Sequence, residues 1–285
     1  MTDVPGRVGV IGGGRMGAGI AHAFALAGSG VVVVERDDEA AAAASARLLE
    51  SVRQSVERGT TDIGYDALAA AIETATDAAE LAGCHLVVEA VPEDRELKLA
   101  ALARAERVLG PDAALATNTS SISIDDLASG LDRPERFLGL HFFNPVPASQ
   151  LVEVVTGAAT DPALVDDARR WITALGKTPI VVRDSPGFAS SRLGVALGLE
   201  AIRMLEEGVA SAADIDAAMQ LGYRHPLGPL RTTDLVGLDV RLGIAEELHR
   251  RLGERFAPPE LLRRLVADGH LGRKTGRGFY EWSEK

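Results

Sequence analysis

Short apolar runs rich in β-branched residues recur along the chain before residue 184, each bounded by turn or polar residues and too brief for a buried helix. They predict strands over residues 7–11, 31–34, 86–89, 114–117, 137–142, 151–155 and 179–182. Between them the period changes. Ile20, Ala21, Phe24, Ala25 and Ala27 recur at helical spacing, and residues 38–58 read as an alanine-rich helix stopped at Gly59. Strand and helix therefore alternate, which predicts an α/β fold with a mainly parallel sheet covered by helices. After Asp184-Ser185-Pro186-Gly187 the strand signals end. Helical patterns follow at 188–207, 211–220, 235–252 and 259–268, punctuated by Gly208, Gly222, Pro226 and Pro229. Ser211 with Asp214 and Asp216 reads as a capped helix start. Two domains are expected, 1–184 and an all-helical 185–285.

Two positions break the apolar rule. Glu153 lies inside Leu151-Val152-Glu153-Val154-Val155, where a carboxylate loses its hydration and needs a partner, or its pKa rises until it is neutral. His141, near the end of the preceding strand, is the obvious partner. A carboxylate on an imidazole fixes the tautomer and raises basicity, which makes a general base. Asn118-Thr119-Ser120-Ser121 and the run His141 to Pro147, which includes Asn144, add polar groups at strand ends.

The first strand feeds Gly12-Gly13-Gly14-Arg15-Met16-Gly17, which opens a helix, and the next strand ends at Glu35. This is the context in which a G-x-G-x-x-G pattern binds a dinucleotide. Gly12 serves the turn, Gly14 lets a pyrophosphate approach the backbone, and Gly17 seats the helix on the sheet, with Met16 in the same loop. The helix N-terminus supplies amides and a positive dipole. Glu35 suits a ribose diol and repels a 2′-phosphate, which favours NAD over NADP; Arg36 beside it could accommodate that phosphate.

The 285 residues, 46% hydrophobic, suit a globular two-domain chain, and no stretch resembles a membrane span. The first residues lead directly into a strand pattern, without a secretory signal or an Arg-rich presequence, so a cytoplasmic location is expected. A net charge of −11 argues against nucleic acid as a partner. It leaves room for a phosphorylated small molecule, for which Arg36, Arg47, Arg53 and Arg58 offer local cations, or else form a solvated helix face. One cysteine, Cys84, excludes an internal disulfide framework and reads as a core thiol. The remaining histidines lack metal-ligand spacing, so no metal is expected.

The ordered set Gly12 to Gly17, Glu89-Ala90-Val91-Pro92-Glu93-Asp94, Asn118 to Ser121, His141 to Pro147, Leu151 to Val154, Asp184 to Phe188 and Gly272 to Tyr280 resembles the 3-hydroxyacyl-CoA dehydrogenase family, including its 3-hydroxybutyryl-CoA dehydrogenases. The resemblance spans nearly the whole chain. It implies a Rossmann-type NAD-binding domain, a helical carboxyl domain that forms a homodimer contact, a substrate cleft, and a place in fatty acid metabolism. Carried over by position, His141 is the catalytic base, Glu153 its orienting carboxylate, and Ser120 a contact to the substrate oxygen near the nicotinamide. Glu93 and Lys98 match cofactor contacts, with Ala90, Val91 and Asn118 in the same segments. Asn144 supports the nicotinamide side and the substrate, Ser51 and Arg58 fall near CoA-contacting positions, and Lys274 near the cofactor.

One departure concerns the substrate side. The family's second domain opens with Pro-Gly-Phe, two further residues and then Asn-Arg, where Pro186-Gly187-Phe188-Ala189-Ser190-Ser191-Arg192 has Ser191 in the asparagine's place. The chain has only two asparagines, Asn118 and Asn144, and a downstream Asn-Glu-Ala-Ile has become Leu199-Glu200-Ala201-Ile202. A hydroxyl is shorter and offers one donor where an amide offers two and an acceptor. Ser191 thus marks either a changed substrate preference or neutral drift. The expected reaction interconverts an L-3-hydroxyacyl-CoA and a 3-oxoacyl-CoA. The alternatives are a dehydrogenase of a carrier-protein-bound or free hydroxy acid, and a nucleotide-binding structural or sensory protein.

Overall fold

Eight strands form one sheet in the computed structural model, which describes residues 3–282. They are β1 (Arg7–Ile11), β2 (Gly30–Val34), β3 (Ile72–Ala75), β4 (Leu86–Glu89), β5 (Ala114–Thr117), β6 (Phe137–Phe142), β7 (Leu151–Thr156) and β8 (Thr178–Arg183). The order across the sheet is β3-β2-β1-β4-β5-β6-β7-β8. Six helices accompany it: α1 (Arg15–Leu26), α2 (Asp38–Glu57), α3 (Tyr65–Ala70), α4 (Arg95–Glu106), α5 (Ile124–Ala128) and α6 (Pro162–Ala174). Several start where the sequence supplies an acceptor for the unpaired first amides: Asp37 accepts from Ala40, Asp94 from Leu97, and Ser123 from Asp126.

The sheet is parallel except at β6 and β7, which pair antiparallel. The link between them, 143–150, is too short for the crossover a parallel pair requires. β3 was missed by the sequence pattern because Ile72-Glu73-Thr74-Ala75 is short, polar and at the sheet edge, where only pairing with β2 makes it a strand. Valines and leucines of β1, β2 and β4 are fully buried against Ile20 and Phe24 of α1, giving the core of this unit. Cys84 is buried too, beside Leu81 and Val87 near Gly9, and burial raises its thiol pKa.

By chain packing the molecule divides into two units, Met1–Asp184 and Ser185–Lys285; residues 1–2 and 283–285 of the expected domains lie outside the described residues. The second unit contains α7 (Ser190–Glu206), α8 (Ala212–Tyr223), α9 (Pro229–Val236), α10 (Leu238–Leu252) and α11 (Glu260–Ala267). The pattern at 235–252 predicts one helix, whereas two are found. Pro229 occupies the first turn of α9, where it lacks only an amide that would be unpaired anyway. Gly237, at φ +104, then separates α9 from α10 in a conformation that side chains resist. Leu199, Ile202, Leu230, Leu238, Leu248 and Leu262 form this unit's own core.

The terminal segment Gly272 to Tyr280 clasps that core. Asp234 accepts from the amides of Phe279 and Tyr280 and from Trp282 Nε1. Asp216 accepts from the first amides of α9 and from the Tyr280 hydroxyl, and Arg231 stacks over Tyr280 at 4.2 Å.

Candidate active site

β1 and β4 are neighbours whose following loops depart toward different helices, which opens a crevice at their carboxyl ends. A cleft of about 650 Å³ lies there, lined by Gly12, Gly14, Arg15, Met16, Glu35, Arg36, Ala90, Val91, Pro92, Leu97 and Arg104 among others. The glycine loop fits a dinucleotide. A Cβ on Gly17 would stand 1.8 Å from the Gly12 carbonyl oxygen, so only glycine lets α1 seat this closely, while a Cβ on Gly14 would meet nothing within 4 Å. Glu35 Oε1 accepts from the Gly13 amide at 2.6 Å, which holds the carboxylate beside the loop. Arg36 turns to Asp37 at 3.0 Å, and Arg47 donates to the Gly13 carbonyl. Arg53 lies over the Tyr65 ring, so the four arginines of this stretch serve separate places rather than one cationic cluster.

On the other side of the sheet centre, β6 and β7 bring the two anomalous strand residues together. His141 and Glu153 are direct cross-strand partners, so their side chains share one face as nearest neighbours. His141 Nδ1 lies 2.7 Å from Glu153 Oε2, and His141 Nε2 lies 3.0 Å from Ser120 Oγ. Glu153 is fully buried and His141 is 4% exposed, against the Phe143 ring at 4.5 Å. With Nδ1–H donating to the carboxylate, Nε2 is the basic nitrogen that faces the Ser120 hydroxyl.

Ser120 is placed by the loop after β5. The Glu93 carboxylate accepts from the Ser120 and Ser121 amides at 3.0 Å each and from the hydroxyls of Thr119 and Ser121. Asn118 Oδ1 accepts from the Phe142 amide at 2.8 Å, tying this loop to β6 next to His141. Burial acts to raise the Glu93 pKa, but the Lys98 charge and these hydrogen bonds outweigh it, and the carboxyl lies below its ordinary range.

Glu89 and Lys98 carry a role that the strand pattern alone did not assign. Lys98 is only 1% exposed and Glu89 fully buried; Lys98 Nζ donates to both Glu89 oxygens at 2.9 and 3.1 Å and to the Val91 carbonyl, with Glu93 at 3.3 Å. Thr117 and the Val91 amide also donate to Glu89. Glu89 ends an apolar strand just as Glu153 interrupts one, so the desolvation argument applied to Glu153 would have found it. The Lys98 ammonium sits inside this network rather than in the cleft wall.

Arg58 follows α2 and lines a second cleft, about 560 Å³, with His22, Ser55, Thr60, Pro147 and Lys177. Ser51 lies one turn before Ser55, with its hydroxyl on the Arg47 carbonyl. His22 is buried with Nε2 3.0 Å from Ser55 Oγ, and burial lowers its pKa. Asn144 is exposed on the loop after β6. In the helical unit, Ser191 is the second residue of α7 and half-buried, and Lys274 is paired with Asp239 at 2.6 and 2.7 Å. Among the described residues no group of histidine, cysteine and carboxylate side chains could hold a metal ion, and no helix is long and apolar enough to cross a membrane.

Residues 7–185 match the model for the 3-hydroxyacyl-CoA dehydrogenase NAD binding domain, and residues 187–282 match that for the 3-hydroxyacyl-CoA dehydrogenase C-terminal domain. The chain belongs to the 3-hydroxyacyl-CoA dehydrogenase family. It is an NAD-dependent oxidoreductase, and the glycine loop lies in the domain that takes the cofactor. The 3-hydroxybutyryl-CoA dehydrogenase of Mycobacterium tuberculosis is 43% identical over 286 residues, covering 99% of this chain and 100% of that protein. That of Bradyrhizobium diazoefficiens is 42% identical over 284 residues, covering 99% and 97%. The crystal structure of (S)-3-hydroxybutyryl-CoA dehydrogenase from Ralstonia eutropha superposes with a TM-score of 0.93 at 39% identity, covering 98% of this chain and 100% of that one.

Proposed function

We infer that this dehydrogenase interconverts L-3-hydroxyacyl-CoA and 3-oxoacyl-CoA with His141 and Glu153 as its acid-base pair. The observation that carries this reading is the continuous Ser120–His141–Glu153 contact, at 3.0 and 2.7 Å, made by the loop after β5 and the adjoining strands β6 and β7 of the NAD-binding unit. In the oxidation, His141 Nε2 takes the proton of the substrate hydroxyl. Glu153 holds Nδ1–H and stabilises the imidazolium that forms. Ser120 Oγ donates to the substrate oxygen. When bound, NAD supplies the hydride-accepting ring that no side chain can provide. In the reduction, the His141 imidazolium returns its proton to the oxygen.

Gly12, Gly14, Met16, Gly17, Glu35, Ala90 and Val91 hold the dinucleotide in this reading, and Glu93 acts on it through the Asn118 to Ser121 loop. The Glu35 carboxylate in the cleft favours NAD over NADP, with Arg36 turned aside to Asp37. Arg58 and the half-buried face of α2 near Ser51 hold the phosphates of the thioester carrier. The cytoplasm is the proposed location. The helical unit exposes Leu193, Leu221, Tyr223 and Val240, an apolar set that supports its use as a homodimer contact.

NADH oxidation by acetoacetyl-CoA tests the reading directly. Turnover at a kcat of about 1 s⁻¹ or more is expected. NADH binding without turnover of any acyl-CoA would instead favour a carrier-protein-bound or free hydroxy acid.

A further inference from the structure

Lys98 serves two carboxylates at once. Its ammonium stands 2.9 and 3.1 Å from the Glu89 oxygens, 3.2 Å from the Val91 carbonyl and 3.3 Å from Glu93 Oε2. These acceptors engage all of the N–H groups an ammonium has. Glu89 ends β4, and Thr117, its direct partner on β5, donates to it at 2.6 Å, as does the Val91 amide. Lys98 itself lies in the first turns of α4 and is 1% exposed. Two strands and a helix therefore fix the cation.

Glu93 divides its carboxylate between that cation and the loop after β5. Oε2 faces Lys98, whereas Oε1 accepts from Thr119 Oγ1 at 2.6 Å, from the Ser120 and Ser121 amides at 3.0 Å each and from Ser121 Oγ at 2.9 Å. Ser120 Oγ then stands 3.0 Å from His141 Nε2. An unbroken polar path thus runs from Glu89 through Lys98 and Glu93 to Ser120. Its balance depends on charge, because a lysine is a point charge on a flexible stem and follows the stronger field. The Glu89 charge keeps Lys98 back, which leaves Glu93 Oε1 to the loop. Without that charge the ammonium turns to Glu93 and loosens its hold on Ser120. A buried ion pair is weak ground for stability, since apolar residues of similar volume often hold a fold as well. The place of this one, between the cofactor cleft at Val91 and the serine beside His141, gives it a use.

We propose that Glu89 is a positioning residue for the dehydrogenase reaction: through Lys98 and Glu93 it sets Ser120 Oγ where the substrate oxygen meets His141. This rests on the dehydrogenase reading above. Glu89 is fully buried and outside the cleft wall, so it acts only through its neighbours.

The test compares wild type, Glu89→Gln, Ser120→Ala and the double variant by kcat and KM with acetoacetyl-CoA, NADH affinity by fluorescence, and melting temperature. Glutamine keeps the size and an acceptor for the Val91 amide. Glu89→Gln is expected to bind NADH within about threefold of wild type while kcat falls about 10- to 100-fold, the scale of a reacting group displaced by about 1 Å. In the Ser120→Ala background the same change costs less than about threefold, because both changes act on one group. Equal factors in the two backgrounds overturn the proposal, and so does a wild-type kcat in Glu89→Gln. A kcat loss that only follows loss of melting temperature and NADH binding overturns it as well, since that is a structural effect. Should Glu89→Gln not fold, Lys98→Met with Glu89→Gln, which removes both charges of the pair, takes its place. A low kcat beside restored stability and NADH binding supports the proposal, and a kcat that recovers with stability overturns it. If wild type binds NADH yet turns over no acyl thioester, the dehydrogenase reading has failed and this proposal with it; wild-type turnover that Glu89→Gln leaves intact removes this proposal alone.

Discussion

At the scale of residues, four of the buried charged or titratable side chains of the first unit stand at its candidate site: His141, Glu153, Glu89 and Lys98. Each sits in or beside an apolar strand, and each is tolerated only through a partner within hydrogen-bond reach. Replacing His141 by Gln keeps the ring site polar but removes the proton acceptor. Turnover is expected to fall by about a hundred- to ten-thousand-fold while NADH still binds, which fluorescence titration beside steady-state rates would show; near-normal turnover would remove His141 from the mechanism. Lys98→Met strands the Glu89 carboxylate without its countercharge. A loss of about 3–5 kcal/mol follows, on the order of 10 °C in Tm, and pairing it with Glu89→Gln should restore part of the loss. Calorimetry that found the single and double variants equally unstable would contradict this account of the pair.

At the scale of elements, the β6–β7 pair decides the chemistry. Because side chains alternate along a strand, a slip of one residue in register would send Glu153 to the opposite face from His141. The antiparallel turn between these strands, imposed by a short link, therefore matters as much as the two residue identities. In the helical unit the comparable control point is Gly237. At φ +104 it ends α9 and starts α10, and an added Cβ would stand 2.9 Å from Asp239 Oδ1. Gly237→Ala is expected to cost about 1–3 kcal/mol and to disturb the Asp239–Lys274 pair. Urea titration would register this as a lower midpoint, and an unchanged midpoint would show that the backbone there relaxes freely.

For the whole molecule, each unit holds a carboxylate with a depressed pKa. Burial opposes the charge on Glu93 and Asp239, but Lys98 and Lys274 with nearby donors prevail, so both lie below their ordinary values of 4.5 and 3.8. Their stabilisation is fully present above those values and is lost as pH falls through the lower folded ones. Thermal scans should thus show stability falling at acid pH below about 4.5, with Glu93→Gln reducing the slope; an identical slope in that variant would rule Glu93 out as a contributor.

Much of this architecture is legible in the chain itself, because strands buried on both faces read as continuous apolar runs and the glycine loop has few other uses in that setting. The chemistry-bearing residues stand out for the same reason: a buried carboxylate in an apolar strand is costly enough to be conspicuous. What the linear pattern does not carry is partnership. Edge strand β3 exists through its neighbour, the split of α9 from α10 through one glycine's conformation, and the choice of Lys98 as partner of Glu89 through packing that no local signal at Lys98 reports. By itself, the sequence determined the alternation of elements, the dinucleotide loop and the His141–Glu153 candidates, since these depend on local periodicity and on the cost of burying charge. Register, desolvation and the choice of partner were decided by the tertiary structure, because each depends on residues distant in the chain meeting in space.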